Sequence, residues 1–258
     1  MTVNERHLLV KSYLGKMLTV KIDRPIGHIH KKENYSLTCP INYGYIPGVI
    51  GGDGEELDVY LLGVDIPVTE YTGKIIGIVY RENDIEDKLI MAPDGVEFMQ
   101  NEIEEQIHFQ ERYYKTEIEA LFQKSCGAVV FRKNNGVLEY LCLFQRRSQT
   151  YSVPKGHMEA FETEEETAQR EIKEEIGISV DFVQGFRETV QYEIVGGKLK
   201  TVVFFLAECH ENISIDESEI EKYEWLSAEN AKAILPYWYV PIIRSVYKEL
   251  HADRETGC

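Results

Sequence analysis

The sequence predicts an α/β protein of two domains, a β-rich one over residues 1–123 and a mixed α/β one over 124–258. Three observations carry this. The 258 residues suffice for two cores of ordinary size. Strand-like runs broken by turns fill the first part, then give way from about Phe98 to apolar residues at helical spacing. Near residue 123 a new strand pair begins, and behind it a helix-length run from Gly156 to Ile178 carries eight glutamates.

The elements follow in order. KMLTVKID, INYGYIPGVIGGDGEELDVYLLGV, TGKIIGIVYREND and DKLIMAP read as short strands with turn residues between them. From Phe98 to Gln123, Ile103, Ile107, Tyr114, Ile118, Leu121 and Phe122 predict one helix, continuous or interrupted, on a charged background. KSCGAVVFRKNNGVLEYLCLFQRR predicts a strand pair turned at Asn134-Asn135-Gly136, and QYEIVGG and KTVVFFLAEC predict further strands. Ser227 reads as the cap of a helix through AENAKAIL that Pro236 ends before a second apolar helix.

Composition excludes several classes. A hydrophobic fraction of 43% and an aromatic fraction of 11% belong to a folded chain. A formal charge of -16 opposes binding to nucleic-acid polymers or anionic membranes, which need a cationic surface. No apolar run reaches the roughly 20 residues of a membrane helix, and MTVNERHLLVKSYLGKML lacks a signal-peptide core, so a cytoplasmic address is expected. Cys39, Cys126, Cys142, Cys209 and Cys258 are odd in number and scattered, which reads as free thiols.

The glutamate run poses a physical question, because like charges four apart on a helix repel. Glu171, Glu174 and Glu175 stand at i, i+3 and i+4, three carboxylates on one face. Hard oxygen ligands so grouped suit magnesium, with manganese as the alternative, bridging them to substrate phosphates. The competing reading is a solvated acidic face. The spacing decides for the metal. Gly156, Glu162, Arg170, Glu171, Ile172, Glu174, Glu175, Gly177 and Ile178 fit the Nudix box position by position. The second domain therefore resembles a Nudix hydrolase, an α/β/α sandwich whose box glutamates hold magnesium. The resemblance implies Glu171, Glu174 and Glu175 as ligands and Arg170 orienting a carboxylate.

YSVPKGHMEAFE, GFRETVQYEIVGGKLKTVVFFLAE and EIEKYEWLS look like the asymmetrically cleaving diadenosine tetraphosphate hydrolases. That resemblance implies Lys155 and His157 facing the phosphates, Tyr192 near a base or ribose, and Lys198 or Lys200 on the polyphosphate. Glu219 and Glu221 are expected in a loop before YEWL, where related enzymes carry an extra carboxylate that binds metal or activates water. The substrate implied is a nucleotide polyphosphate.

In the first domain, PINYGYIPG and GGDGEELDVYLL resemble the soluble inorganic pyrophosphatases, which implies a β-barrel. Candidate site residues there are Tyr43, Asp53, Glu55, Asp58, Glu86, Lys88, Tyr114 and Lys115, with Asn42 beside them. Glu55 replaces the family's middle aspartate, and Arg81 stands where another metal-binding aspartate is expected. His28 and His30 stand two apart, spaced for one face of a strand, with no further ligand evident.

Three functional readings follow. The motifs around the box favour a dinucleoside polyphosphate, and the fusion favours a nucleoside triphosphate pyrophosphohydrolase whose pyrophosphate the first domain removes. The third, from another class, is a noncatalytic nucleotide sensor, against which stands the complete set of box glutamates. Under the first reading the N-terminal domain is a regulatory, polyphosphate-binding or dimer-forming module, so a homodimer is among the expected assemblies.

Overall fold

The computed structural model describes residues 2–32 and 35–252. The chain divides into two compact units, Met1–Gln123 with Glu193–Leu199, and Lys124–Tyr192 with Lys200–Cys258.

In chain order the first elements are α1 (Val3–Lys11), β1 (Met17–Arg24), β2 (Ile29–Lys32), β3 (Tyr35–Thr38), β4 (Asn42–Ile50), β5 (Glu56–Leu61), β6 (Glu70–Arg81), β7 (Lys88–Ala92), α2 (Gln100–Glu111) and β8 (Thr116–Ala120). Strands run in the order β1-β4-β5-β7-β6, and β6 pairs back onto β1, so five strands close a barrel and leave β8 beside β6. Only the β5–β7 pair among these is parallel. Side chains alternate along β5: Val59 and Leu61 join Val20, Ile75, Ile78 and Leu89, whereas Tyr60 and Leu62 pack with Ile103 and Ile107 of α2. Both faces are thus buried, which is why β5 to β7 read as nearly continuous apolar runs.

One expectation needs correction here. Helix α2 stops at Glu111, and residues 116–120 form β8. Thr116-Glu117-Ile118-Glu119-Ala120 alternates with period two, burying Ile118 and Ala120 beside β6; the agreement of Ile118 with helical spacing is coincidental. The sequence reading also passed over α1, whose start is fixed by a capping box between Thr2 and Glu5. The side chain of His30 and residue Cys258 lie outside the described residues; Cys39, Cys126, Cys142 and Cys209 are free.

The remaining elements are β9 (Phe122–Asn134), β10 (Val137–Gln145), β11 (Thr150–Ser152), β12 (Lys155–His157), α3 (Glu164–Ile176), β13 (Glu188–Ile194), β14 (Lys198–Glu208), β15 (Ile220–Leu226), α4 (Ala228–Ile234) and α5 (Tyr239–Ala252). One sheet runs β11-β10-β9-β14-β13, with β12 on β9 and β15 on β10. Asn135 and Gly136 supply the positive φ of the β9–β10 turn. One sheet face packs Val130, Leu141, Leu143, Val203 and Phe205 on Ile172 and Ile176 of α3. The other packs Val129, Phe131, Val202 and Phe204 on Ile242, Ile243 and Val246 of α5. The result is an α/β/α sandwich. Ser227 caps α4 as expected, while Glu221, expected in a loop, lies in β15. Among the described residues no helix is long and apolar enough to cross a membrane.

Candidate active site

Helix α3 owes its place to its apolar residues and its chemistry to the opposite face. Ala168, Ile172 and Ile176 stand four apart and are fully buried; each Ile is worth roughly 1.5–3 kcal/mol of burial. Thr163 and Glu166 form a capping box, and Gly177 closes the helix in the left-handed conformation at φ 73°. Three glutamates, Glu164, Glu165 and Glu166, occupy the first turn, where the helix dipole favours them. Glu164 is also bound by Lys124 at 2.5 Å and by Arg187 at 2.6 and 2.8 Å, the Lys124 pairing having no signal in the box itself.

Arg170 organises the next group. Its Nε and Nη2 donate to the two Glu162 oxygens at 2.7 and 2.9 Å, and Nη1 donates to Glu171 at 2.6 Å and Glu174 at 3.1 Å. Nη2 also donates to the His157 carbonyl at 2.9 Å, tying the helix to the end of β12. Bidentate Arg170 pulls the Glu162 carboxyl down to about 2. Glu162 is thereby a brace for Arg170.

Glu175 is only 4% exposed. Its oxygens accept from Gln145 Nε2 at 3.3 Å and from the Lys155 amide at 3.1 Å. Burial pushes its carboxyl up to about 7, and burial raises Glu171 despite Arg170. Both are therefore short of positive charge, the condition a divalent cation relieves. Among the described residues no three His, Cys, Asp or Glu side chains converge on one ion position as they stand, because Arg170 draws Glu171 and Glu174 together while Gln145 and Lys155 hold Glu175. The donor set nonetheless fits magnesium: hard carboxylate oxygens on one face, two of them undercompensated, with Glu174 60% exposed.

Gly156 explains itself through Glu171. A Cβ on Gly156 would lie 2.0 Å from the Glu171 carboxyl carbon, so only glycine lets that carboxylate reach its place. Gly156→Ala is expected to displace Glu171 and weaken metal affinity and turnover about 10–100-fold, with stability changed by less than about 1 kcal/mol. Unchanged Mn2+ affinity in a titration would contradict this reading of the glycine.

A cationic group faces these carboxylates. Lys200 Nζ lies 3.2 Å from His157 Nε2. Loss of surrounding water, with the Lys200 and Lys155 charges, pushes His157 down to about 4, so its neutral ring accepts from Lys200. Burial and the Lys155 charge bring Lys200 down to about 8, and burial lowers Lys155 as well. Lys198, the alternative to Lys200, is instead paired with Glu119 at 2.7 Å. Tyr192 stacks on Trp238, ring centroids 4.8 Å apart and planes at 20°. Glu219 is exposed, and its charge helps raise Glu171, whereas Glu221 accepts from Gln149 at 3.1 Å. Sequence reasoning missed Gln145 and Trp238, which come from β10 and the segment before α5 and carry no local signal.

The candidates of the first unit behave differently. Tyr43 donates a short hydrogen bond to Asp58, and Lys88 Nζ lies 2.7 Å from both the Tyr43 hydroxyl and Asp58 and 3.1 Å from Glu86. Arg81, 1% exposed, donates from Nε and Nη2 to Glu111 at 2.9 and 2.7 Å and from Nη1 to Asp84 at 3.1 Å and Glu86 at 3.0 Å. Its plane lies 3.6 Å from the Tyr114 ring centroid. Asp53 and Glu55 are exposed on the turn, where Asp53 accepts from the Glu55 amide at 3.1 Å. Lys115 is exposed and paired with Glu82. Asn42 is a structural staple, accepting from the Ile26 amide and donating to the Val64 and Ile66 carbonyls.

Glu86 is pushed up to about 7 by burial and by its hydrogen bond to Asp58, against an ordinary value near 4.5. Between those values the folded chain holds a proton the unfolded chain has released, so this group's contribution to stability falls as pH rises from about 4.5 to 7. Glu86→Gln keeps the neutral form at all pH. The variant is expected to gain on the order of 1–2 kcal/mol over the parent between pH 5 and pH 8, read from denaturation midpoints. A pH-independent difference would remove the shared proton from the account.

Comparison with known proteins matches residues 121–250 to a family model of the NUDIX domain and residues 16–138 to one of inorganic pyrophosphatase. Over 120 residues the chain is 35% identical to a mouse protein named bis(5'-nucleosyl)-tetraphosphatase [asymmetrical], covering 42% of this chain and 81% of the mouse protein. It is 33% identical over 119 residues to the Caenorhabditis elegans protein of that name, covering 44% of this chain and 86% of that one. A crystal structure of a C. elegans Ap4A hydrolase binary complex aligns with a TM-score of 0.48 at 28% identity, over 50% of this chain and 98% of that chain.

Proposed function

We propose, from the premise that this chain belongs to the Nudix family and is a hydrolase of phosphoanhydrides with an inorganic-pyrophosphatase-like first domain, that its second unit cleaves dinucleoside polyphosphates asymmetrically. Diadenosine tetraphosphate and water then give ATP and AMP. The observation that carries this reading is the pair of cations Lys155 and Lys200, with neutral His157 accepting from Lys200, set against the carboxylates of Glu171 and Glu175. A long polyphosphate needs both, a metal at the cleaved phosphate and fixed cations along the chain.

Magnesium held by Glu171, Glu174 and Glu175, or manganese in its place, would polarise the phosphoryl group and offset the charge developing on the leaving oxygen. The chain's own residues do the rest. Arg170, braced by Glu162, fixes Glu171 and Glu174 in rotamer and direction. Glu219, exposed and within electrostatic reach of Glu171, takes the proton of the attacking water. Lys200, kept near its neutral point by burial, binds phosphate oxygens and regains full charge as they approach. The Tyr192–Trp238 pair offers a flat aromatic surface suited to a nucleobase.

The test is competition between substrates. The kcat/KM for diadenosine tetraphosphate is expected to exceed that for each nucleoside triphosphate by tenfold or more; the reverse order would sink the reading. The match of residues 16–138 favours a second reading, in which a nucleoside triphosphate is split to monophosphate and pyrophosphate and the first unit consumes the latter. That reading requires divalent metal in the first unit.

A further inference from the structure

We propose that Arg81 and Lys88 occupy the carboxylate centre of the first unit with built-in positive charge, which makes it a metal-independent structural core and not a divalent-metal pyrophosphatase site. Four carboxylates, Asp58, Asp84, Glu86 and Glu111, surround two built-in cations. Arg81 spends four of its five N–H donors on them and lies with its face on Tyr114. Lys88, 3% exposed, bridges Asp58 and Glu86. The Tyr60 hydroxyl donates to the remaining side of Glu111.

A divalent ion would need to sit about 2.0–2.6 Å from carboxylate oxygens. The Asp58 oxygen that faces the centre is already 2.7 Å from the Lys88 ammonium, and the Glu86 oxygen is 3.0 and 3.1 Å from Arg81 and Lys88. An ion bound there would lie a few ångström from two fixed positive charges, with little water to screen them. Moving Arg81 aside would strand a buried guanidinium and Glu111 together. Asp53 and Glu55 remain outside the network, exposed on a turn. Without metal, pyrophosphate would meet Asp53 and Glu55 as an anion meeting anions. The sequence difference at Arg81 is therefore a replacement of function as well as of residue: a covalent cation stands where a dissociable one would be needed.

The experiment uses the full-length chain and two readouts. Mn2+ binding is followed by electron paramagnetic resonance in the parent, Asp58→Asn and Glu86→Gln proteins, and orthophosphate release from pyrophosphate with Mg2+ is followed in the parent and Glu174→Gln. The expected result is an Mn2+ stoichiometry unchanged by Asp58→Asn or Glu86→Gln, and no orthophosphate that survives Glu174→Gln. Glu86→Gln preserves an acceptor for Arg81 and Lys88 and covers the case in which Asp58→Asn fails to fold. Loss of one or more bound Mn2+ in either variant, or pyrophosphate hydrolysis that persists in Glu174→Gln, overturns the proposal. Neither readout depends on which nucleotide the second unit hydrolyses.

Discussion

Glu175→Gln is expected to lower kcat for phosphoanhydride hydrolysis by on the order of a thousandfold while shifting stability by less than about 1 kcal/mol. The substitution keeps shape and one acceptor oxygen, and removes the charge. In the parent, that carboxyl is 4% exposed, its oxygens accept from Gln145 and the Lys155 amide, and burial pushes it up to about 7. Glu111 and Asp58 of the first unit, in contrast, have a guanidinium and an ammonium beside their oxygens. Loss of transition-state charge stabilisation worth several kcal/mol converts to about three decades in rate at 1.4 kcal/mol per decade. Steady-state rates with chemical denaturation of the same preparations give both numbers. A large loss of stability with a small loss of kcat would reassign Glu175 from ligand to scaffold.

The second large effect lies in the first unit. Arg81→Met is expected to destabilise it by about 3–5 kcal/mol, because a buried pair broken from one side leaves Glu111 charged and unpaired at 4% exposure. Arg81→Lys is expected to recover little of this. A lysine supplies one point charge, not the two parallel bonds to Glu111, the third and fourth to Asp84 and Glu86, and a flat face on Tyr114. Calorimetry suits the measurement, since a chain of two units need not unfold in one step. A loss under about 1 kcal/mol for Arg81→Met would show that the network is loosely held.

What the sequence disclosed and what it hid divide along one physical line. Glu171, Glu174 and Glu175 were legible because a helix fixes their spacing locally, and Gly156 because it stands at the box's fixed offset, a place the structure explains by a Cβ that would lie 2.0 Å from the Glu171 carboxyl carbon. Gln145, Trp238 and the Lys124–Glu164 pair were not legible, since each meets its partner across distant strands and helices. The choice between Lys198 and Lys200 depends on which way a strand residue points, and Glu119 takes Lys198. Period misled where two periods agreed by chance: Ile118 continues the α2 spacing and also alternates within β8. In the first unit the motif offsets marked Asp53, Glu55 and Asp58, but Asp53 and Glu55 stay on the turn while Asp58 pairs with Lys88, a residue thirty positions away.

The most direct measurement is chromatographic product analysis of the full-length protein with magnesium and diadenosine tetraphosphate, with Glu175→Gln as the control. The account expects ATP and AMP in equal amounts from the parent and neither from the variant. Two ADP per substrate, or no turnover beside tight binding, would contradict it.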